Sequence, residues 1–393
     1  MSSKKEVIIG LVGGGYAARL HGNGYAKVNK VDVRLKTICD MDTARAEKIK
    51  EEFGFEQVEA DFDTMLQDKE IDVVDICTPP SLHTMMAAKA IKAGKHVICE
   101  KPLTGYFGQK GDATPIGEKV SKAKMYDFVL KDMEALKKVV DASDRKFMFA
   151  ENYVYATPIQ KAAEILAKKK SKVLMFKGEE SLKGSSSAVA GEWKGTGGGT
   201  LIRCGTHPLT GILYLKAVEA AARGEKITVK SVLCDAAFTT KILNEKEHAY
   251  IGAHPHDVED FSNLTVTFSD GTKAIVIACD TVLGGTKNYV EVYTNDSALM
   301  CNITPTDIMN CYFLDEENLD DVVISEMLPQ KKGWNKAFVS DETIRGYTGE
   351  LQDFIECVAF DRQPLSNFDL AYDTMKVIYA AYQSAEEGKS ITL

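Results

Sequence analysis

The sequence predicts two domains of different class: an α/β domain formed by a doubly wound parallel sheet, then an α+β domain built on a large, mostly antiparallel sheet. Three observations lead there. From residue 6 to about 150, apolar runs of strand length alternate with helical patterns, the signature of βαβ units. After Glu151, strand-like runs follow one another with turns such as Asp270-Gly271 between them, as hairpins require. A chain of 393 residues is long enough for two separate cores. The boundary is therefore expected at residue 150, giving domains 1–150 and 151–393.

Glu6 to Val12 is an apolar strand that runs into Gly13-Gly14-Gly15-Tyr16-Ala17-Ala18, the dinucleotide pattern G-x-G-x-x-A. Gly13 permits the tight turn, Gly15 lets a pyrophosphate approach the backbone, and Ala18 lets the following helix pack closely. That helix offers free N–H groups and its positive dipole end to phosphates. The next strand, Asp32–Cys39, ends in Asp40, 22 residues after Ala18, near the ~20 expected of a carboxylate that binds the adenosine ribose. An acid there repels a 2′-phosphate, so NAD is favoured over NADP. The competing reading is that Asp40 and Asp42 cap the helix Thr43–Phe53. A short strand at Gln57–Glu59, a helix at Asp63–Gln67, strand Val73–Cys77, helix Thr84–Ala93, strand His96–Cys99, helix Tyr126–Ser143 and strand Phe147–Ala150 complete this Rossmann-type domain.

The strand ending at Cys99 delivers Glu100-Lys101-Pro102. Proline has no backbone donor and a fixed φ, so the strand stops there and Lys101 is held at its carboxyl edge, where open parallel sheets bind ligands. In the second domain, strands are expected at Lys172–Lys177, Ile227–Ala237, Leu264–Phe268, Lys273–Cys279 and Asn288–Thr294, with helices at Gly349–Phe360 and Leu370–Ala385. Segments 104–124 and 181–200 are rich in Gly, Ser and Lys and read as long excursions that serve as covers.

The 48 basic and 57 acidic side chains give a net charge of -9, which argues against nucleic acid or an anionic membrane as the main partner. No run of ~18 uncharged apolar residues predicts a membrane span. The charged amino terminus leads straight into a strand, so no secretory signal is expected. The nine cysteines are scattered through apolar strands without a C-x-x-C pair, as packing thiols of a cytoplasmic protein are.

These residues resemble the Gfo/Idh/MocA family (glucose-fructose oxidoreductase, inositol 2-dehydrogenase and MocA). The resemblance extends through Thr78-Pro79-Pro80-Ser81-Leu82-His83, Gly94-Lys95-His96-Val97 with Glu100-Lys101-Pro102, Gly197-Gly198-Gly199-Thr200-Leu201 running to His207, and Val258-Glu259-Asp260. It implies hydride exchange between a nicotinamide, NAD in preference to NADP, and a secondary alcohol of a sugar, glycoside or polyol. It also implies that Thr78, Pro79, His83, Glu100 and Lys101 join Gly13, Gly15, Tyr16, Ala17, Ala18 and Asp40 around the cofactor. Such chemistry requires one group to take the hydroxyl proton and another to stabilise charge on that oxygen; the resemblance assigns them to His207 and Lys101.

The family usually carries an aspartate four residues before this histidine, and here that position is Arg203. Pro208 argues against a helical His207, so Arg203 and His207 need not share a helix face. Arg203 either binds an anionic or heavily hydroxylated substrate or turns away to a surface carboxylate. Asn152 and Tyr155 follow the last strand of the first domain, where the family contacts nicotinamide and substrate; the alternative is a polar start to the second domain. Trp193 stacks on a sugar face or anchors the core. His254-Pro255-His256-Asp257 offers ligand types but no closed zinc spacing, so no metal is expected and His256 is a substrate candidate. Two other functions remain open: cleavage of a glycoside through transient C3 oxidation, with Tyr155, His254 or His256 as the base at C2, and a non-catalytic NAD-sensing regulator. The family's habit of pairing through the outer face of the second sheet implies a homo-oligomer, a dimer or tetramer.

Overall fold

A computed structural model describes residues 5–185, 187, 189–304, 310–313, 332–336 and 342–393. The chain forms two compact units, each discontinuous in sequence. One comprises residues 1–105, 127–155 and 346–376; the other comprises 106–126, 156–345 and 377–393.

The first unit holds a six-stranded parallel sheet of β1 (Glu6–Val12), β2 (Asp32–Cys39), β3 (Gln57–Glu59), β4 (Val73–Ile76), β5 (His96–Glu100) and β6 (Phe147–Ala150), in the order β3-β2-β1-β4-β5-β6. Each strand pairs parallel with its neighbour, Leu11 lying opposite Ile38 and Asp75 opposite Ile98. β4 and β6 are buried along their whole length, as strands covered on both faces are. The order reverses at β1, which places β1 and β4 at the topological switch point.

The second unit holds a seven-stranded sheet. Its strands are β7 (Val173–Ser181), β8 (Val229–Ala237), β9 (Phe261–Phe268), β10 (Lys273–Cys279), β11 (Lys287–Thr294), β12 (Ala298–Asn302) and β15 (Ile391–Thr392), in the order β12-β11-β7-β10-β9-β8-β15. Only β7 and β10 run parallel. β9, β10 and β11 alternate buried with partly exposed residues, so one face forms a core. A separate hairpin joins β13 (Asn310–Phe313) to β14 (Gly333–Lys336). Residues 186 and 188 of the expected 181–200 excursion lie outside the described residues.

The single boundary expected at residue 150 does not capture the interleaving. Helix Tyr347–Phe360 packs on helix Tyr16–Tyr25, where Leu351 lies against Gly24, so the chain returns to the first unit late. Segment 106–126 belongs to the second unit: the Tyr106 amide donates to Tyr379 Oη at 2.6 Å and Gly117 N donates to Asp257 Oδ2 at 2.9 Å. Two long helices went unread in the sequence, Thr157–Lys169 and Thr206–Arg223. Among the described residues, eight cysteines are free and buried. Among the described residues, no helix is long and apolar enough to cross a membrane.

Candidate functional site

The glycine turn is built for close approach. Gly13 has φ 98°, and a Cβ there would sit 2.5 Å from the Cys77 carbonyl oxygen, so only glycine fits between the ends of β1 and β4. Gly15, by contrast, is exposed and faces open space, with nothing within 4 Å of a Cβ. Ala18 is fully buried beneath the helix. Tyr16 is exposed rather than packed on the sheet, and Ala17 is partly covered.

The helix-capping role falls to Asp42 and not to Asp40. Asp42 caps helix Thr43–Phe53 by accepting from Arg45 N. Asp40 accepts from Gly14 N at 2.7 Å and Asp42 N at 2.9 Å, and pairs in fork geometry with Arg45 through Nε at 2.9 Å and Nη2 at 2.7 Å. Burial pushes the Asp40 carboxyl up, but Arg45 and the two amides outweigh it and hold it below its ordinary range. The glycine turn and the end of β2 are thus tied by one ionised carboxylate.

At the other side of the switch point, a cis peptide joins Lys101 to Pro102. The Lys101 amide donates to Glu100 Oε2 at 2.9 Å. His83 is fully buried and bridges Pro102 O and Thr78 O, both at 2.8 Å; burial lowers its pKa. His83 therefore acts on the loops after β4 and β5 rather than presenting its ring to a ligand. Thr78 is half-buried and Pro79 exposed beside it.

Sequence reasoning missed what lies behind this turn. His21 Nδ1 lies 2.8 Å from Asp75 Oδ2, and His21 Nε2 lies 3.3 Å from Glu100 Oε1. Tyr25 donates to the same Asp75 oxygen at 2.7 Å, and Cys77 Sγ is 3.6 Å from both His21 Nδ1 and Asp75 Oδ1. The signal was an aspartate inside the apolar run Val73-Val74-Asp75-Ile76, because an ionisable group in a fully buried strand needs a partner.

Asn152 and Tyr155 lie on a short 3-10 turn, Asn152–Tyr155, that is buried throughout. The Tyr155 hydroxyl donates to Asp353 Oδ2 at 2.7 Å and accepts from Ser366 N at 3.0 Å. Both belong to the first unit, so Tyr155 is an internal clamp and the expectation that it contacts substrate or acts as a base is corrected.

In the second unit, Gly197, Gly198 and Gly199 lead into a π-helical turn, Leu201–Gly205, that continues as helix Thr206–Arg223. His207 is consequently helical, against the expectation from Pro208. The π-helical turn immediately before it, Leu201–Gly205, is the kind of irregularity at which a running helix accommodates a residue without an N–H. Arg203 forms an ion pair with Asp280, whose side chain is 4% exposed, so its partner is a buried carboxylate rather than a surface one. Burial pushes the Asp280 carboxyl up against the pull of Arg203.

Glu259 staples the glycine turn. Its carboxylate accepts from Gly199 N, Leu201 N and Tyr382 Oη, each at 2.9 Å, and a Cβ on Gly199 would lie 1.9 Å from Glu259 O. Burial raises the Glu259 pKa to about 7 against those three donors. The folded chain then holds a proton that the unfolded chain has lost, so stability falls as pH rises from about 4.5 to about 7, by at most about 3 kcal/mol. Glu259→Gln is expected to lower the Tm at every pH and to flatten its decline over that window, as thermal melts at stepped pH will show.

Trp193 is 2% exposed, with Tyr382 at 4.8 Å between ring centroids and Lys122 Nζ 4.8 Å above its ring. So little of it is exposed that it is a core anchor and not an open sugar platform. His256 is exposed and, with Thr114, Ile116, Glu192 and Lys194, lines a cavity of about 300 Å³. His254 lies 4.6 Å from His248 between ring centroids.

Residues 7–124 match an oxidoreductase family with an NAD-binding Rossmann fold. Levoglucosan dehydrogenase of Pseudarthrobacter phenanthrenivorans is 39% identical over 102 residues, which span 24% of this chain and about a quarter, 26%, of that protein. D-glucoside 3-dehydrogenase of Escherichia coli is 23% identical over 394 residues, 98% of this chain and 97% of that one. Among solved structures, GenD2 from gentamicin A biosynthesis, in complex with NAD, superposes with a TM-score of 0.77 at 19% identity, covering 100% of this chain and 98% of that one. At that identity the likeness is one of fold.

Proposed function

The chain belongs to the Gfo/Idh/MocA oxidoreductases, and from that premise we propose that it is an NAD-dependent dehydrogenase of a secondary alcohol in a sugar, glycoside or polyol. The observation that carries the proposal is the pairing of a glycine turn open at Gly15 with a lysine fixed at the carboxyl edge of β5, in a chain related end to end to a glucoside dehydrogenase.

The residues present fit NAD: Gly13, Gly15 and Ala18 leave the backbone accessible, and Asp40 is ionised at the end of β2. When bound, the nicotinamide supplies the hydride acceptor. The protein's own share is to bind, orient and move a proton. Lys101 stabilises charge on the substrate oxygen, and His207 accepts the hydroxyl proton. Arg203, anchored by Asp280, stands where the family's aspartate is usual and orients substrate hydroxyls; Asn152 and His256 stay as substrate contacts in this reading.

Purified protein offered NAD with a panel of glucosides, inositols and anhydrosugars is expected to accumulate NADH. Release of aglycone without NADH would instead support the glycoside-cleaving reading, and no turnover with any alcohol would overturn both. Asp40→Ala is expected to shift the affinity ratio toward NADP by about 10-fold to 100-fold, because Arg45 is released to meet a 2′-phosphate; titrating both cofactors checks this. We also propose a homo-oligomer through the second sheet. Leu233 and Met300, both exposed, and Ile275 fall on one cross-strand row of its outer face. Light scattering tests the assembly.

A further inference from the structure

We propose that His21 is a positioning residue for Lys101: bridging Asp75 and Glu100, its imidazole holds the Glu100 carboxylate on the Lys101 amide and fixes the turn from which the lysine leaves the sheet. The inference rests on Lys101 acting on substrate, as argued above.

The chain of contacts is continuous within the first unit. Asp75 on β4 bonds His21 Nδ1 at 2.8 Å, His21 Nε2 reaches Glu100 Oε1 at 3.3 Å, and the other Glu100 oxygen takes the Lys101 N–H at 2.9 Å. The His21 side chain is 1% exposed and Asp75 0%. Burial alone would keep the ring neutral, but Asp75 and Cys77 outweigh it and its pKa stands well above 6.5. A charged imidazole between Asp75 and Glu100 offsets the cost of burying acids beside one another. Glu100 is held below its ordinary range by His21 and the adjoining lysine despite its burial.

Every element packed around the ring contributes an acid or weak acid. Tyr25 lies on the same helix and Cys77 follows β4. Glu350, from helix Tyr347–Phe360, is 1% exposed, has one oxygen without a hydrogen-bond partner, and is pushed well up by burial, with Glu100 and Glu151 adding to that. The hydrogen bonds of the ring go to Asp75 and Glu100. Stability does not explain such a group, since replacing buried ions by apolar residues of similar volume is often neutral or favourable. Nor does the His21, Asp75 and Cys77 trio fit a metal as it stands: the 2.8 Å Nδ1 to Oδ2 separation is a hydrogen bond, whereas ligands ~2.0–2.1 Å from zinc in a tetrahedron lie ~3.3 Å apart. What the network does reach is one backbone turn. Pro102 O is gripped from the other side by His83, leaving the His21 arm to set the aim of Lys101.

Two spectroscopic readouts need no substrate. In protein labelled with nitrogen-15 histidine, His21, assigned by its loss in His21→Gln, is expected to give an imidazolium signature at about pH 8, where an ordinary histidine is neutral. Asp75→Asn should return it to the neutral form. With lysines dimethylated with carbon-13, the Lys101 resonance, assigned by Lys101→Ala, is expected to shift in His21→Gln and in Asp75→Asn. With methyl glucoside and NAD as probes, His21→Gln should lower kcat by about 10-fold to 100-fold and move the acid limb of its pH profile, while KM for NAD stays within roughly twofold. A neutral His21 at that pH, or a Lys101 resonance indifferent to both variants, overturns the proposal. A wild-type protein that oxidises no alcohol defeats the dehydrogenase reading, and the two resonances still decide this one.

Discussion

Lys101→Ala is expected to lower turnover by about 10²-fold to 10⁴-fold, the range set by loss of a group that both donates to an oxygen and stabilises its developing charge. The fold around the lysine gives the reason for so localised a loss. The turn is held by backbone contacts, Glu100 on the Lys101 amide and His83 on the Pro102 carbonyl, and neither needs the lysine side chain. The variant should therefore fold, melt close to the parent and bind NAD with Kd within roughly threefold, so that the whole effect falls on kcat. Lys101→Arg keeps the charge but places it on a larger planar fork that cannot give up a proton, and most of the loss should persist. Rates from NADH absorbance and NAD titration of each variant check the split. A Lys101→Ala protein that retains parental turnover would remove the lysine from the chemistry.

The parts of this architecture that were legible in sequence are the local ones. β1 and β6 are buried over consecutive residues and read as apolar runs, as β4 does apart from Asp75; the glycine turn and Pro102 announce chain geometry within a few residues. Helix Thr206–Arg223 was invisible for the opposite reason. It is buried continuously from Thr206 to Lys216, so no polar face remains to create a 3.6-residue period. Helix Thr157–Lys169 carried a readable mark in its proline at the first turn. Long-range features left no trace: the return of Tyr347–Phe360 to the first unit depends on Leu351 meeting Gly24, and the capture of Tyr155 depends on Asp353 and Ser366. The candidate site divides along the same line. Glycines and the lysine were named by motif, whereas Arg203 found Asp280 and His21 found Asp75 and Glu100 only through folding.

Two glycines two residues apart in the pattern are expected to fail in different ways, and the contrast isolates cofactor binding from folding. Gly13→Ala places a methyl 2.5 Å from Cys77 O and 2.7 Å from the carbonyl carbon, on a residue at φ 98°. Both objections are to backbone, which cannot swing aside as a side chain can. Adopting that φ costs a non-glycine residue of order 1–3 kcal/mol, and the clash adds separation of β1 from β4, so the variant should melt markedly lower and lose NAD with its fold. Gly15→Val meets nothing within 4 Å and has φ -83°, so the protein should keep its Tm within a few degrees. The valine instead fills the space through which a pyrophosphate would reach the backbone N–H groups at the start of helix Tyr16–Tyr25. NAD affinity should fall by about 100-fold or more, or ~2.7 kcal/mol. Thermal melts with and without NAD read both effects at once, since a ligand that binds only the folded state raises Tm in proportion to its occupancy. Gly13→Ala should start low; Gly15→Val should start at the parental Tm and gain nothing from the cofactor. Should NAD stabilise Gly15→Val as it does the parent, the dinucleotide does not lie across this turn, and the assignment of the glycine motif to pyrophosphate binding fails with it.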